Sequence, residues 1–102
     1  MKVRKPKRVD WVHSVSSRSH GDIQKEMRIW MRTSIGAGKQ LREKRGPEQL
    51  SPYHMWYYRI TDYPVPGGSI WRPDATIPVT KYYFINSMAL TQFLLRWSEE
   101  IM

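Results

Sequence analysis

The sequence predicts a small α+β domain in which two helices pack on one face of an antiparallel sheet. Three observations support this fold class. Residues 9–15 and 53–62 have the alternation and the residue types of strands. Residues 86–100 repeat apolar side chains with the period of a helix. Because 102 residues are enough for one domain, we predict a single domain over 9–102, preceded by a flexible basic arm at 1–8.

The first element is predicted as a half-buried strand. Val9, Trp11, His13 and Val15 fall on one side of an extended chain at 9–15. The segment SSRSHGD, residues 16–22, is then expected to form a turn.

Residues 22–35 allow two interpretations, of which a helix is favoured. Ser19 and Asp22 have the spacing of a capping box, and Gly36 suits a helix C-cap. One face of this helix would carry Ile23, Met27, Trp30, Met31 and Ser34. A strand is the alternative, because residues 27–32 also alternate.

The second half supplies a hairpin and a final helix. Residues 36–52 are predicted as a basic loop, and 53–62 as an aromatic strand. A connection rich in Pro and Gly follows at 64–79, and a short strand at 81–85. Asn86 or Ser87 would begin the last helix, whose apolar stripe is Ala89, Leu90, Phe93, Leu94 and Trp97. This order of elements predicts a ferredoxin-like arrangement that lacks its last strand.

The charge of the chain lies in its first half. The net charge is +8; residues 1–50 hold 13 Lys or Arg and 5 Asp or Glu, whereas residues 51–102 hold 4 of each. An asymmetry of this kind indicates a polyanionic partner. The absence of cysteine excludes disulfides and thiolate chemistry. We expect a cytoplasmic protein with no membrane span and no secretory signal.

The segment KYYFINSMALTQFLLRW, residues 81–97, resembles the C-terminal part of small uncharacterised proteins of tailed phages. There, an aromatic strand leads into a helix with Ala and then Phe-x-Leu-Arg-Trp. The matching positions are Tyr83, Phe84, Ala89, Phe93, Leu95, Arg96 and Trp97. The match covers about a sixth of the chain. It implies a phage-like origin, hence a host-cytoplasmic location. Those proteins provide no activity that could be assigned to this chain.

Binding of nucleic acid, either DNA or RNA, is the function that the residues favour. Lys and Arg neutralise phosphates, and aromatic rings on an open sheet face can stack on bases. Whether that face is open or shielded by the connection at 64–79 is left undecided by the sequence. The predicted binding residues are Lys2, Arg4, Lys5, Lys7, Arg8, Arg28, Arg32, Lys39, Arg42, Lys44, Arg45, Tyr57 and Arg59.

Two other function classes are compatible with the residues. A protein-docking role, on a host or virion protein, would use an aromatic face with Trp71 and Arg72 as anchors. A small nuclease would use His20 and Asp22, but no second carboxylate stands beside Asp22 to hold a divalent cation. The Gly36–Lys39 segment is not followed by Ser or Thr, so it is no Walker motif. We therefore expect no catalysis, no metal and no cofactor.

Overall fold

The elements of the structure form a four-stranded mixed sheet with two helices, which confirms the α+β class. The computed structural model describes residues 11–18, 21–42, 44–64 and 76–101. The predicted arm at 1–8, with its five cations, and Trp71 and Arg72 lie outside these residues. The elements are β1 (His13–Ser17), α1 (Gly21–Ser34), β2 (Gly38–Gln40), β3 (Trp56–Pro64), β4 (Thr76–Phe84) and α2 (Ser87–Trp97). Short 3₁₀ turns occupy Pro47–Gln49 and Ser98–Glu100.

The sheet is built around one long hairpin. Strands β3 and β4 pair antiparallel over nine residues, from Trp56 opposite Phe84 to Pro64 opposite Thr76. Strand β1 adds antiparallel to β4, and β2 adds parallel to β3, which gives the order β1-β4-β3-β2. The central strands thus come from the segments with the highest aromatic content.

The structure confirms the helical interpretation of the second element. Helix α1 spans Gly21–Ser34, and Met27 and Met31 are both fully buried, whereas Ile29 between them, which a strand would place on the same face, is 52% exposed. The strand alternative for 22–35 is therefore wrong. The last helix also forms as predicted: Asn86 is its N-cap and accepts a hydrogen bond from the backbone N–H of Ala89 over 2.9 Å.

Three predicted segments need correction. The strand predicted at 9–15 is His13–Ser17, so Ser16 and Ser17 belong to a strand and not to a turn. The loop predicted over 36–52 contains β2, which depends on a partner 18 residues later in the chain. Three residues are too few to show a strand period, which is why the pattern missed it.

The third correction concerns β4, which begins at Thr76 rather than at residue 81. Pro78 made this stretch look like a connection, because proline cannot donate to a sheet ladder. However, β1 pairs with β4 only from Thr80 to Phe84. Among the described strands, the stretch of β4 around Pro78 is therefore paired only with β3, where Pro78 is opposite Asp62, and a proline is tolerated there as on an edge strand.

Both helices pack on the same face of the sheet. Four aromatic side chains point from that face into the core, namely Trp56, Tyr58, Tyr82 and Phe84. The helices contribute Met27, Met31, Ala89, Phe93 and Trp97. Burial of one large apolar side chain stabilises a fold by about 1.5–3 kcal/mol, so this layer is the main source of stability. Within the described residues, no helix has the length and hydropathy to cross a bilayer.

A buried polar chain links three elements inside this core. The Tyr82 hydroxyl donates to Gln24 Oε1, and Gln24 Nε2 donates to Ser17 Oγ over 2.9 Å. The three residues belong to β4, α1 and β1, and all are buried. Burial raises the pKa of Tyr82 to about 12, although the nearby Arg28 acts in the opposite direction.

Gly38 lets β2 lie against the indole of Trp56. A Cβ atom at position 38 would be 2.0 Å from Trp56 Cε2. The indole is held in place because its Nε1–H donates to the carbonyl of Gly36 over 2.8 Å. Gly36 itself has φ +142°, a conformation that other residues rarely adopt.

We predict that Gly38→Ala destabilises the protein by about 1–3 kcal/mol, because the added methyl overpacks the site against a fixed ring. Gly21→Ala is the matched control, since a Cβ there meets no atom within 4 Å. It should raise stability by about 0.4–1 kcal/mol through the unfolded chain. Urea denaturation measures both. A Gly38→Ala protein as stable as the native one would contradict the packing described.

We also predict that stability falls between about pH 10 and pH 12 because of Tyr82. The unfolded chain releases this phenol proton near pH 10, whereas the folded chain keeps it until about pH 12. The free energy of unfolding should therefore drop by up to about 1.4 kcal/mol per pH unit in that window. Tyr82→Phe should remove this part of the slope. Equal slopes in the native and Tyr82→Phe proteins would contradict the account.

Candidate nucleic-acid interface

The second face of the sheet is covered by neither of the described helices, and it carries a different set of side chains. Strand alternation and the pairing register place its residues. Opposite the core positions, β3 presents Tyr57 and Arg59, β4 presents Lys81 and Tyr83, and β2 presents Lys39. We call these five residues the cationic sheet face.

Its centre is a packed aromatic cluster. Tyr57 and Tyr83 are cross-strand partners, and their rings stack with 4.5 Å between centroids and 9° between planes. Trp11, just before β1, packs edge-on against Tyr57 with 5.1 Å between centroids. As a result, Tyr57 is only 3% exposed. Tyr57 is a predicted binding residue and lies on a face that neither described helix covers, yet neighbouring side chains shield it.

The charged side chains of this face are all cations. Arg59 and Lys81 are directly opposite each other in the β3–β4 ladder, and Lys39 lies in the adjacent row beside Tyr57. Asp62 is the acidic residue of the described strands, and it alternates onto the other face. Like charges directly opposite on a sheet repel each other, and no carboxylate of these strands relieves the pair.

The tyrosine rings position the cationic groups. The guanidinium carbon of Arg59 is 5.8 Å from the centre of the Tyr57 ring, and Lys81 Nζ is 5.3 Å from that of Tyr83. Both groups therefore lean along their strands toward the aromatic pair. Burial is the main cause that raises the pKa of Tyr57, with a further increase from Tyr83 and a decrease from Arg59. The phenol is thus neutral in neutral solution.

Arg59 also fixes the basic segment that follows β2. Its Nη2 donates to the carbonyl of Arg45, while its Nε is buried without an acceptor in the described part of the chain. The contact holds Arg45 beside the sheet face, and a backbone bond from Arg45 N–H to the Arg42 carbonyl closes the turn between them. Arg42, Lys44 and Arg45 are exposed. Of these three predicted residues, Arg45 contacts Arg59 directly, through its backbone carbonyl, and Arg42 and Lys44 belong to the same turn.

Two predicted residues lie on the opposite layer. Arg28 is on α1, and its guanidinium carbon is 5.0 Å above the ring of Tyr58, which points into the helix-covered face. Arg32 is one helical turn further and exposed. They do not extend the patch formed by Lys39 and Arg59, because α1 covers the other side of the sheet.

Three residues of the site are not among the predicted binding residues, namely Lys81, Tyr83 and Trp11. Lys81 and Tyr83 alternate with the core residues Tyr82 and Phe84, so the strand pattern carries a signal for them. The pattern of residues 9–15 predicts Trp11 on the side of His13 and Val15 of a strand. Trp11 precedes the strand instead, and it packs on Tyr57.

The helical layer offers a second surface. A shallow groove of about 330 Å³ lies between α1 and α2, lined by Trp30, Ser34, Gln92, Leu95 and Arg96. Leu95 is 82% exposed, and Ile29 on α1 is also exposed. Surfaces that combine exposed apolar residues with Trp and Arg are typical of protein contacts.

The residues considered for catalysis are not assembled in the described part of the chain. Asp22 is exposed in the first turn of α1, and His20 lies outside the described residues. His54 Nδ1 accepts a hydrogen bond from the backbone N–H of Ser51 over 2.9 Å. Among the described residues, no group of three His, Cys, Asp or Glu could hold a metal ion.

Comparison with known protein families, with curated proteins and with solved structures finds no match for this chain. The resemblance to phage proteins thus stays a prediction.

Proposed function

We propose that the protein is a non-catalytic nucleic-acid-binding protein that uses the cationic sheet face. The observation that carries this proposal is the pair of Arg59 and Lys81, directly opposite each other on that face with no carboxylate of the described strands beside them. Such a pair costs stability in the free protein. A phosphate group between or above the two cations would turn this repulsion into attraction on both sides.

The cationic residues around Arg59 and Lys81 support an extended polyanion, rather than a single small anion, as the ligand of this face. Lys39 lies on the next strand of the same face. Arg42, Lys44 and Arg45 lie beside it through the contact between Arg59 and the Arg45 carbonyl. Several phosphates could therefore be neutralised together, with release of their counterions.

Trp11, the first described residue, lies on this same face. Trp11 packs on Tyr57, and the arm at 1–8 precedes it by only a few residues in the sequence. We propose that the arm adds phosphate contacts through Lys2, Arg4, Lys5, Lys7 and Arg8. A cytoplasmic location suits this function and the absence of cysteine.

Docking on a host or virion protein is the second candidate. It is supported by the groove between α1 and α2, where Trp30 and Arg96 stand beside the exposed Leu95. Docking there would use the helical layer and not the aromatic sheet face. It would be insensitive to salt, in contrast to phosphate binding.

We also propose that the fold is a ferredoxin-like one without its last strand. Strands β1 and β3 flank β4 on either side, with α1 between them in the chain. A split β-α-β unit of the ferredoxin-like kind has this connection. In this view β2 is an addition at the far edge of the sheet.

The proposal predicts that removal of cations weakens binding according to the face they occupy. Lys39→Gln with Lys81→Gln removes two charges from the sheet face, and Lys25→Gln with Arg32→Gln removes two from α1. At about 0.1 M salt, each phosphate contact removed should cost roughly five- to tenfold in affinity. The slope of log affinity against log salt should fall by about 0.7–0.9 per contact. The α1 pair should change affinity by no more than about twofold, because screening limits distant charges.

Fluorescence anisotropy with labelled single-stranded and duplex oligonucleotides at two salt concentrations measures these effects. Thermal unfolding of each double variant shows whether the fold is kept. Equal losses in the two variants would indicate general charge attraction without a defined face. If the native protein bound no oligonucleotide at low salt, the proposed function would be wrong, and docking on a protein would become the leading candidate.

A further inference from the structure

We infer that the cationic sheet face recognises the phosphate backbone of nucleic acid and does not stack on its bases, although it is rich in aromatic residues. The inference rests on the proposed function and deepens it. It concerns the chemistry that the site recognises, and it separates this face from aromatic sheets that bind unpaired bases on open rings.

The ring of Tyr57 is already in contact with three neighbouring side chains. One contact is the parallel stack with Tyr83, and another is the edge of Trp11. The guanidinium of Arg59 is a third neighbour. With 3% of the residue exposed, no surface is left on which a base could lie flat.

Tyr83, the other tyrosine of the stacked pair, is half-buried. One side of its ring is covered by Tyr57, and the ammonium of Lys81 is also above the ring. A base that stacked on Tyr83 would have to displace one of these neighbours. The stacking energy of a base on Tyr83 is of the same order as that of the tyrosine pair it would disrupt, so the exchange brings no net affinity.

The cationic groups, in contrast, keep unbonded donors. Arg59 Nε is buried and Nη2 donates to the Arg45 carbonyl, but the guanidinium has further N–H donors that form no hydrogen bond within the described residues. Lys81 is held by its ring contact and has no carboxylate beside it on the described strands. Tyr57 and Tyr83 thus position the cationic groups of Arg59 and Lys81, and these groups bind the phosphates.

An abasic oligonucleotide tests this inference directly, because it keeps the phosphodiester backbone and lacks the bases. Anisotropy is measured with the full chain, for a labelled thymidine strand and for an all-abasic strand of the same length. We expect affinities equal within about twofold, whereas one stacked base would separate them by roughly 5- to 150-fold.

Variants of Tyr83 complete the test. Tyr83→Leu removes the ring that holds Lys81, and it should weaken binding of the two strands by the same factor. Tyr83→Phe keeps the ring and should restore both affinities. Thermal unfolding and far-UV circular dichroism check that the variants fold. A loss confined to the thymidine strand would show that a base stacks on Tyr83, which would overturn the inference.

The two proposals fail in different ways. Binding of the thymidine strand together with weak or absent binding of the abasic strand would leave nucleic-acid binding established and this inference wrong. Absence of binding to both strands at low salt would remove the proposed function, and the inference would fall with it.

Discussion

The register of the β3–β4 hairpin is the constraint on which the rest of the molecule depends. Trp56 is opposite Phe84, Tyr57 is opposite Tyr83, and Tyr58 is opposite Tyr82. Because side chains alternate along a strand, this register sends the outer two pairs into the core and the middle pair to the opposite face. A slip of β3 by one residue against β4 would exchange the two sets of side chains on β3. It would put Arg59 under the helices, where an unpaired cation could not be buried.

The two sides of the hairpin make different use of the same residue types. On the helical side, Tyr82 and Tyr58 fill the core, and their hydroxyls are satisfied by Gln24 and Gln40. On the other side, Tyr57 and Tyr83 stack on each other and position cations. Two different roles therefore account for the aromatic residues at 53–63. Part of it builds the core, and part of it supports a charged surface.

Sequence reasoning found the elements that carry their own local signals. The helix α2 has an N-cap at Asn86 and an apolar stripe, and α1 has buried positions four residues apart. It also placed Tyr57 and Arg59 in an aromatic strand, which the structure shows as β3. It missed β2, because three residues such as Gly38, Lys39 and Gln40 form a strand only through a partner distant in sequence.

Other misses also have tertiary causes. Pro78 lies in a strand because β1 ends before reaching it. Arg28 and Arg32 were grouped with Lys39 by charge alone, and only the packing of α1 separates them. Trp11 shields the sheet face because it packs on Tyr57, a residue of β3 that is far from it in the sequence. Such contacts depend on the assembled sheet, and no local pattern encodes them.

The central claim is that phosphates meet the sheet on the face opposite the helices. Side-chain NMR of the isotope-labelled full chain, titrated with an oligonucleotide at low salt, tests it most directly. The account predicts the largest shifts for Arg59 Nε–H, the Tyr83 ring and the Trp11 indole, with the signals of Trp30 and Leu95 unchanged. Shifts concentrated on Trp30 and Leu95, or no shift at saturating oligonucleotide, would contradict it.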